Sequence, residues 1–310
     1  MGRLDEKVAI VTGGARGVGR GEALLLASEG AAVVVNDLGG EWDGTGRDER
    51  PAQLVVDEIT AAGGTAAASY DDVADWTGGQ RLVDQAVGTF GRLDILVCNA
   101  GILRDRVIFN LGESDWDDVI RVHLKGHFVP SHFATRYWRA RSKSTGESCG
   151  GRIVFTASEA GLYGNSGQAN YAAAKAGIAS LGVVVAREMA RYGVTCNTIC
   201  PRARTRLTEG TFGAGAFAIG EGQFDAWHPD NVAPMVAFLC SDDAPHITGQ
   251  TFCVGGGTVE LMQGWQTVHR VGRDHRWTVD ELAKAQIDLF VGRSTEPAPF
   301  PLPDFPGGGT

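Results

Sequence analysis

The sequence predicts an α/β fold: a parallel, doubly wound sheet of the Rossmann type with helices on both faces. Short apolar runs alternate with helical segments along residues 1–260. This alternation is typical of a parallel sheet with right-handed crossovers. A glycine-rich turn separates the first apolar run from the first helical segment, as is common in Rossmann-type sheets.

The predicted strands are short apolar segments, most of them ended by Gly, Asp, Asn or Ser. A buried parallel strand is apolar along its whole length rather than at alternate positions. In chain order, the predicted strands are residues 7–13, 31–37, 66–72, 93–99, 152–158, 194–200 and 251–254.

The predicted helices fill the intervals between these strands. Gly30 and Gly63 end two of them, and Pro51 stands in the first turn of another, where proline is favoured. In chain order, the predicted helices are residues 17–28, 51–62, 80–90, 114–141, 168–191 and 231–240.

Two segments depart from this alternation. Residues 38–50 are rich in Gly and Asp and are predicted to be a loop insertion after the second strand. Residues 202–227 are rich in glycine, a poor former of rigid helices, so we expect a mobile lid there. The alternative is that its aromatic side chains pack as core. They are Phe212, Phe217, Phe224 and Trp227.

The chain is predicted to be one domain, residues 1–260, with a C-terminal extension, residues 261–310. Thr278 and Glu281 have the spacing of a capping box that opens a helix. Beyond it lies a Pro- and Gly-rich tail of extended type. Because neither piece can form a core of its own, we expect no second domain.

Composition narrows the classes of function. The chain has 310 residues and a net charge of −9, and its scattered basic residues argue against nucleic-acid and membrane partners. The longest apolar stretch, residues 177–186, is about half a membrane span. Six cysteines form no CxxC pair, and the N-terminus shows no signal peptide. We therefore expect a cytoplasmic protein.

The turn after the first strand reads Thr-Gly-Gly-Ala-Arg-Gly-Val-Gly over residues 12–19. Glycine permits a sharp turn and a close approach of the main chain to a pyrophosphate at a helix N-terminus. The alternative is a tight turn with a purely structural role. The position between strand and helix favours dinucleotide binding. The predicted binding residues are Gly13, Arg16, Gly17, Val18 and Gly19.

Asp37 ends the second strand, where a carboxylate can accept both hydroxyls of an adenosine ribose and repel a 2′-phosphate. This favours NAD over NADP, although Arg16 would attract such a phosphate. The alternative for Asp37 is an ordinary turn residue. The ends of the third and fourth strands also lie where such sheets bind ligands. The residues there are Asp72, Val73, Asn99, Ala100 and Gly101.

Tyr171 and Lys175 lie four residues apart, on one face of a predicted helix. A tyrosine with a pKa of about 10 is roughly 0.1% ionised at neutral pH. A nearby cation favours the phenolate, which can take a proton from an alcohol. Ser158 ends the fifth strand, where its hydroxyl could hold the substrate oxygen. Alone, the Tyr–Lys pair would more often be a solvated pair.

In this order and spacing, the glycine turn, Asp72, Asn99-Ala-Gly, Ser158, Tyr171 and Lys175 resemble the short-chain dehydrogenases/reductases. The resemblance covers about residues 4–260. It implies that Tyr171 is the general acid/base and that Ser158 orients the carbonyl. Lys175 would hold the nicotinamide ribose and lower the pKa of Tyr171. Asp72 would contact the adenine, and Asn99 and its neighbours would line the nucleotide.

Further segments resemble one subgroup, the (3R)-hydroxyacyl-CoA dehydrogenase domains of peroxisomal multifunctional enzymes. They are residues 35–40, 101–106, 122–126 and 163–171, together with the insertion after Asp37. The resemblance implies hydride transfer between NAD and a 3-hydroxyacyl-CoA. A 17β-hydroxysteroid is the alternative substrate, because some relatives oxidise steroids.

The sequence departs from the family pattern at two places. His123 stands where the family usually has a catalytic Asn, whose main-chain carbonyl holds a relay water, so we expect His to substitute there. After the sixth strand, Pro201 is followed by Arg202 instead of Gly, and the expected threonine is offset by one. The resemblance nevertheless places Pro201 and Thr205 at the nicotinamide.

Other interpretations are weaker. His123 and His127 have helical metal-ligand spacing, but no HExxH motif is present, and we expect Pro130 to interrupt the helix, so no metal is predicted. Ser158 lacks the GxSxG elbow of a hydrolase. Three arginines after the sixth strand, Arg202, Arg204 and Arg206, could attract CoA phosphates or form a solvated cluster.

A non-catalytic dinucleotide sensor on the same fold is the alternative from another class. The presence of Ser158, Tyr171 and Lys175 together favours the enzyme, since a sensor needs no proton transfer. The family resemblance also implies a homodimer or homotetramer through the helices at residues 114–141 and 168–191. The C-terminal extension would cover either a neighbouring subunit or the substrate cleft.

Overall fold

The structure, a computed structural model, describes residues 2–208 and 222–301. Within these residues eight strands form one sheet. In chain order they are β1 (Val8–Thr12), β2 (Ala32–Asn36), β3 (Thr65–Ser69), β4 (Ile95–Cys98), β5 (Arg152–Thr156), β6 (Thr195–Pro201), β7 (Thr251–Gly255) and β8 (Thr258–Met262).

Helices occupy the connections between strands and the C-terminal extension. In chain order they are α1 (Gly17–Ser28), α2 (Arg50–Ala61), α3 (Trp76–Phe90), α4 (Glu113–Ile120), α5 (Gly126–Thr145), α6 (Glu159–Tyr163), α7 (Ala169–Met189), α8 (Ala233–Cys240) and α9 (Val279–Leu289).

The strand order is β3-β2-β1-β4-β5-β6-β7-β8, and every pair is parallel except β7–β8. The connections run from β1 outward to β2 and β3, and then return across β1 to β4. A crevice therefore opens between the carboxyl ends of β1 and β4, where doubly wound sheets bind ligands. The predicted fold class is confirmed.

The core has one apolar layer on each face of the sheet. Leu26 and Val236 belong to the layer formed with α1, α2 and α8, and Trp138 and Ile178 belong to the layer formed with α3, α5 and α7. The buried Trp138 Nε1–H donates to the carbonyl of Leu93 at 2.7 Å. Two such layers leave the strand ends as the surface where polar side chains can meet.

The helix predicted over residues 114–141 is divided in the structure. A π-helical turn, Arg121–Lys125, separates α4 from α5. Pro130 lies inside α5 and does not end it, so the expected interruption was wrong. Pro130 follows the π turn closely, where the i→i−4 ladder is already disturbed, so the missing N–H costs less there.

Two short elements were not predicted. The five-residue helix α6 follows Ser158 directly. Strand β8 returns antiparallel to β7 through a tight hairpin whose two central glycines, Gly256 and Gly257, have φ of +58° and +76°. Positive φ at both central positions is the requirement of a two-residue type I′ hairpin.

The predicted insertion is irregular in the structure between β2 and α2. The predicted helix of the extension is confirmed as α9, which begins after Thr278 with the expected capping box to Glu281. Within residues 263–301, Ala285 alone is buried. Of the predicted lid, residues 209–221, with Phe212 and Phe217, lie outside the described residues.

All six cysteines are free and buried. Burial raises the pKa of the Cys98 and Cys240 thiols to about 12, because a thiolate loses its hydration in an apolar interior. These thiols are therefore unreactive in the folded chain.

Among the described residues, one helical stretch, Ala169–Tyr192, has the length and composition of a membrane-spanning helix. It contains α7, whose inner face packs against β5 and β6. The core helix of an α/β fold passes the same test, so the observation is weak evidence for a membrane span.

Candidate active site

One cleft at the carboxyl ends of the strands brings together almost every residue that the sequence singled out. Among the predicted catalytic and cofactor-binding residues, Gly19 is the one that does not line the cleft. The predicted residues that do line it are Gly13, Arg16, Gly17, Val18, Asp37, Asp72, Val73, Asn99, Ala100, Gly101, His123, Ser158, Tyr171, Lys175, Pro201 and Thr205.

The glycine turn is packed too closely for side chains. Gly13 and Gly17 have φ of +63° and +52°, and a Cβ on Gly13 would lie 2.8 Å from Ala100 Cα. Gly19 packs inside the turn, because its Cβ would lie 2.3 Å from the Gly13 carbonyl oxygen. Only glycine fits here without strain, so the main chain lies open to the cleft.

Thr12 joins the ends of the two central strands below this turn. Its buried hydroxyl oxygen accepts the N–H groups of Asn99 and Ala100 at 3.0 and 3.2 Å. The Asn99 amide donates in turn to the Gly13 carbonyl at 3.2 Å. The crevice at the switch point is therefore fixed by hydrogen bonds within the protein itself.

Asp37 and Arg16 face the cleft with opposite charges. The Asp37 carboxylate accepts the N–H groups of Ala15 and Gly39, at 3.1 and 2.7 Å, and a carboxylate retains further lone pairs. The Arg16 guanidinium donates to the Gly40 carbonyl at 3.0 Å. The two side chains thus tie the glycine turn to the start of the insertion.

The insertion crosses the cleft rather than extending into solvent. Its Trp42 carbonyl accepts the N–H of Leu103, and its Asp43 carbonyl accepts Arg104 Nε–H, both at 3.0 Å. Glu41 pairs with Arg206 at 3.2 Å. Residues 38–48 therefore connect the end of β2 to the loops that follow β4 and β6.

Asp72 and Thr205 have protein partners as well as cleft positions. Arg121 Nη1 lies 2.7 Å from Asp72 Oδ2. Thr205 stands beside the glycine turn, 3.3 Å from a Cβ placed on Gly17, and its N–H donates to the Thr208 hydroxyl at 2.7 Å. Arg121 and Thr208 also line the cleft, and sequence reasoning missed both.

Ser158 is held at the end of β5 by the helix that follows it. Its Oγ caps α6 by accepting the N–H of Ala160 at 3.2 Å. Because the cap uses a lone pair, the hydroxyl hydrogen stays available for donation. This arrangement suits a group that donates a hydrogen bond to a substrate carbonyl.

Tyr171 and Lys175 both lie on α7, Lys175 buried and Tyr171 partly exposed in the cleft. Lys175 Nζ is 5.4 Å from the centre of the Tyr171 ring and donates to the Thr156 carbonyl at 2.5 Å. Burial raises the pKa of Tyr171 to about 12, against the opposing effect of the Ser158 hydroxyl. Burial also lowers the pKa of Lys175 to about 7.

The expected lowering of the Tyr171 pKa by Lys175 is therefore not found. A lysine with a pKa of about 7 carries only part of a positive charge at neutral pH, so it offsets little of the cost of burying a phenolate. Both groups keep their neutral forms accessible near neutral pH.

His123 occupies the π turn and packs against the active centre. Its ring meets the Tyr171 ring edge to face, with centroids 5.1 Å apart. Its Nε2 lies 2.7 Å from the Ile102 carbonyl oxygen and 3.0 Å from the Ile102 nitrogen. Its Nδ1 is buried with no partner in the described residues. Burial, then Lys175, holds the pKa of His123 well below 6.5, so the ring is neutral.

His127 lies one turn beyond, and its tautomer follows from its contacts. Nδ1 is 2.7 Å from the His123 carbonyl, which can only accept, so Nδ1 carries the hydrogen. Nε2 then accepts the Thr156 N–H at 3.4 Å. Both ring nitrogens are thus used by backbone groups. Among the described residues, no cluster of His, Cys, Asp and Glu has the arrangement of a metal site.

The three arginines after β6 do not form one cluster, since each pairs with a different carboxylate, and of the three Arg206 is the most exposed. Arg202 is buried and forms a two-pronged pair with Glu159, at 2.9 and 2.7 Å, and also contacts Glu260 at 2.7 Å. Arg204 pairs with Asp225 at 2.6 Å, and Arg206 pairs with Glu41. Each guanidinium therefore already has a carboxylate partner.

The cleft suits a dinucleotide on observations of its own. The glycine turn leaves no room for a Cβ at Gly13 or Gly19, and its backbone opens at the N-terminus of α1, where a pyrophosphate is favoured. A carboxylate follows β2, and the Tyr171–Lys175 pair on α7 lies at the same edge of the sheet. These groups suit hydride chemistry at a carbon that bears oxygen.

Comparison with known proteins places the chain in a family. Residues 7–211 match the family described as short chain dehydrogenase, and the chain belongs to that family. It is therefore an oxidoreductase that acts on CH–OH groups, and a nicotinamide dinucleotide is the cofactor that the family and the dehydrogenase relatives indicate.

Individual relatives are similar over most of the chain. Hydroxyacyl-CoA dehydrogenase ChsB1 of Mycobacterium tuberculosis is 47% identical, across 94% of this chain and 91% of the relative. Peroxisomal multifunctional enzyme type 2 of Drosophila melanogaster is 44% identical, and this chain spans 40% of its length. A crystal structure of a short chain dehydrogenase from Mycobacterium avium is 46% identical, with a TM-score of 0.84 over 96% of this chain and 99% of that one.

Proposed function

We propose that the chain is an NAD-dependent dehydrogenase that oxidises the hydroxyl of a 3-hydroxyacyl-CoA, or reduces the corresponding ketone. The observation that carries this proposal is the convergence of Ser158, Tyr171 and Lys175 beside the glycine turn. Three elements position them, since Ser158 caps α6 at the end of β5 and the other two lie on α7.

In the proposed reaction, Tyr171 exchanges a proton with the substrate oxygen, while Ser158 donates a hydrogen bond that holds that oxygen. The bound dinucleotide supplies the hydride acceptor or donor. Lys175 assists when protonated, because a positive charge near the ring favours the phenolate. The His123 ring, packed perpendicular to that of Tyr171, limits the position that the Tyr171 ring can adopt.

The substrate class rests on the relatives. Hydroxyacyl-CoA dehydrogenase ChsB1 is similar along nearly its whole length, and the peroxisomal multifunctional enzymes match over part of theirs. A free 17β-hydroxysteroid remains the competing substrate. The carboxylate pairs of Arg202, Arg204 and Arg206 leave the interpretation of these residues as a CoA-phosphate site without support.

The preference for NAD rests on Asp37. Its carboxylate stands at the end of β2 and would repel a 2′-phosphate. The opposing cation, Arg16, is already engaged by the Gly40 carbonyl. This contact reduces the attraction of Arg16 for a phosphate, so the balance of the two groups favours NAD.

We further propose a homodimer or homotetramer in the cytoplasm, formed through α4, α5 and α7. Each of these three helices leaves one large apolar or aromatic side chain exposed among those described: Trp116, Phe128 and Val184. We retain residues 1–260 as the catalytic domain and 261–310 as its extension, although the last strand of the sheet, β8, continues two residues further, to Met262.

The test is turnover followed by nicotinamide absorbance at 340 nm. We expect kcat/KM with NAD⁺ to be higher for a 3-hydroxyacyl-CoA, assayed as separate (3R) and (3S) forms, than for a 17β-hydroxysteroid, and lower with NADP⁺. Tyr171→Phe should reduce kcat by about 10²- to 10⁴-fold, the usual contribution of a general acid/base.

The outcomes separate the alternatives. A stronger preference for the free steroid would overturn the acyl-CoA substrate while leaving the dehydrogenase intact. Equal, negligible turnover by the native chain and Tyr171→Phe across all substrates, with tight dinucleotide binding, would favour the non-catalytic sensor.

A further inference from the structure

An ion triad with a buried arginine–carboxylate pair at its centre lies next to Ser158. Arg202 forms its two-pronged pair with Glu159 and reaches Glu260 on β8 with the same Nη2 atom. The Arg202 and Glu159 side chains are 7% and 9% exposed, while that of Glu260 is 43% exposed. The triad thus joins three segments: the end of β6, the start of α6 and the last strand.

Glu159 is the first residue of α6, and Ser158 is the residue that caps this helix. Because the two residues are adjacent in the chain, a change in the position of Glu159 also moves Ser158. On its other side α6 lies against α7, because a Cβ on Gly161 would be 2.5 Å from the Ala176 nitrogen. The short helix is thus held between Arg202 and the helix that carries Tyr171 and Lys175.

Stability alone does not explain this arrangement. Desolvating a buried ion pair costs much of what the charge attraction returns, and apolar residues of similar volume often replace such pairs without loss of stability. Five residues are also too few for a helix to keep its position by itself. The triad instead fixes the orientation of the Glu159 side chain, because a guanidinium fork holds its carboxylate partner in one plane.

We propose that Arg202 is a positioning residue for the reaction. Its two-pronged pair with Glu159 fixes the start of α6, and hence the Ser158 hydroxyl, relative to Tyr171. Its contact with Glu260 connects this arrangement to β8. This inference rests on the proposed roles of Ser158 and Tyr171. It also gives a function to Arg202, which stands where the family pattern has glycine.

The test is the double variant Glu159→Leu/Arg202→Met, which replaces the buried pair by apolar side chains of similar size. We expect its Tm and its KM for NAD⁺ to stay near the native values while kcat falls at least tenfold. Because the Ser158 hydroxyl lowers the pKa of Tyr171, the acid limb of the kcat–pH profile should also move to higher pH.

Adding Ser158→Ala to both backgrounds completes a double-mutant cycle. If Arg202 acts through Ser158, removing the hydroxyl should cost a smaller factor in the double variant than in the native chain. The control is Arg92→Met, which breaks another two-pronged arginine–carboxylate pair, that with Asp94 at the amino end of β4, whereas Ser158 lies at the carboxyl ends of the strands. It should leave kcat and the pH profile unchanged.

A folded double variant with native kcat, a native pH profile and an additive Ser158→Ala effect would overturn the proposal. If the double variant does not fold, Arg202→Lys replaces it, since lysine keeps the charge and loses the fork. A reduced kcat with the same pH shift would then support the proposal, and native kcat would refute it. Should Ser158→Ala and Tyr171→Phe both retain native activity, the proposed function itself fails.

Discussion

Asp37 and Arg16 stand on either side of one turn, and each is bound to backbone groups of the other's loop. Neither charge is therefore free to move far when a ribose or a 2′-phosphate arrives. A fixed carboxylate discriminates more sharply than a mobile one, since it cannot turn away from a like charge.

Replacing Asp37 by asparagine should weaken that discrimination. The amide keeps the shape of the side chain and removes the repulsion of a 2′-phosphate, so the kcat/KM ratio of NADP⁺ to NAD⁺ should rise at least tenfold, about 1.4 kcal/mol. Steady-state kinetics with both cofactors measure it. Asp57→Asn, the same chemical change on the exposed face of α2, is the control, and equal ratios in the two variants would contradict the role of Asp37.

Glu22 on α1 is a fully buried carboxylate that does not line the cleft. Both of its oxygens are buried without a hydrogen-bond partner in the described residues, and burial raises its pKa to about 8. The folded chain therefore holds this proton up to about pH 8, whereas the unfolded chain releases it near the usual 4.5. Stability contributed by the neutral form is lost as the pH rises between these values.

Glu22→Met should remove this loss. Above pH 8, the raised pKa of Glu22 lowers the free energy of unfolding of the native chain by about 4–5 kcal/mol. The stability that Glu22→Met gains over the native chain should therefore be much larger at pH 8.5 than at pH 5. Denaturant titrations of both proteins at the two pH values measure it. A pH-independent difference would show that Glu22 does not titrate as its burial implies.

At the element scale, α6 is the piece on which the active centre depends most and which the sequence reveals least. Its five residues are too few to show a helical period. Gly161 lets it approach α7 closely, and no side chain could take that place without moving one helix.

Gly161→Ala should displace α6, because the new Cβ would lie 2.5 Å from a backbone nitrogen of α7. We expect kcat to fall by about 10²-fold, since a misplacement of roughly 1 Å has that effect. Gly88→Ala is a matched control, being a helical glycine with nothing within 4 Å of its Cβ. It should stabilise α3 by about 1 kcal/mol and leave kcat unchanged. Equal kcat in both variants would exclude the contact.

The sequence predicts the strands, and with them the polar residues at their carboxyl ends, because both follow from local patterns. Asp37, Asn99 and Ser158 each follow an apolar run and reach the same edge. Strand β8 was missed although Gly256 and Gly257 are a hairpin signal, since its alternate side chains are exposed and its run is short. The partners of Arg202 lie 43 and 58 residues away, and no local pattern carries that information.

At the scale of the whole molecule, the sheet continues to Met262 and the extension then leaves it. Most of the large apolar side chains at residues 263–301 are exposed, among them Trp265, Ile287 and Phe290. They contribute little to the stability of a single chain, because apolar surface that stays in water yields no hydrophobic stabilisation.

Ending the chain after Gln263 should therefore leave the fold intact. We expect a Tm within about 4 °C of the native value in dilute solution, the effect of about 1 kcal/mol in a chain of this size. Differential scanning calorimetry measures it, and sedimentation velocity shows whether assembly depends on the extension.

A stop after Gly255, which also removes β8 and Glu260, is the comparison for this truncation and should lower both Tm and kcat. A large fall in Tm for the chain that ends at Gln263, with assembly unchanged, would show instead that the extension packs on its own chain.

The six buried cysteines can serve as probes of the transient unfolding of the chain. A thiol reagent cannot reach them in the folded state, so the rate of labelling reports how often the chain unfolds rather than how reactive its sulfur is. Oxidation of these thiols requires the same transient unfolding. A thiol oxidised to a sulfonate during such an opening carries a charge that cannot be buried again in an apolar layer. Because this oxidation is irreversible, the chain could not return to its native packing.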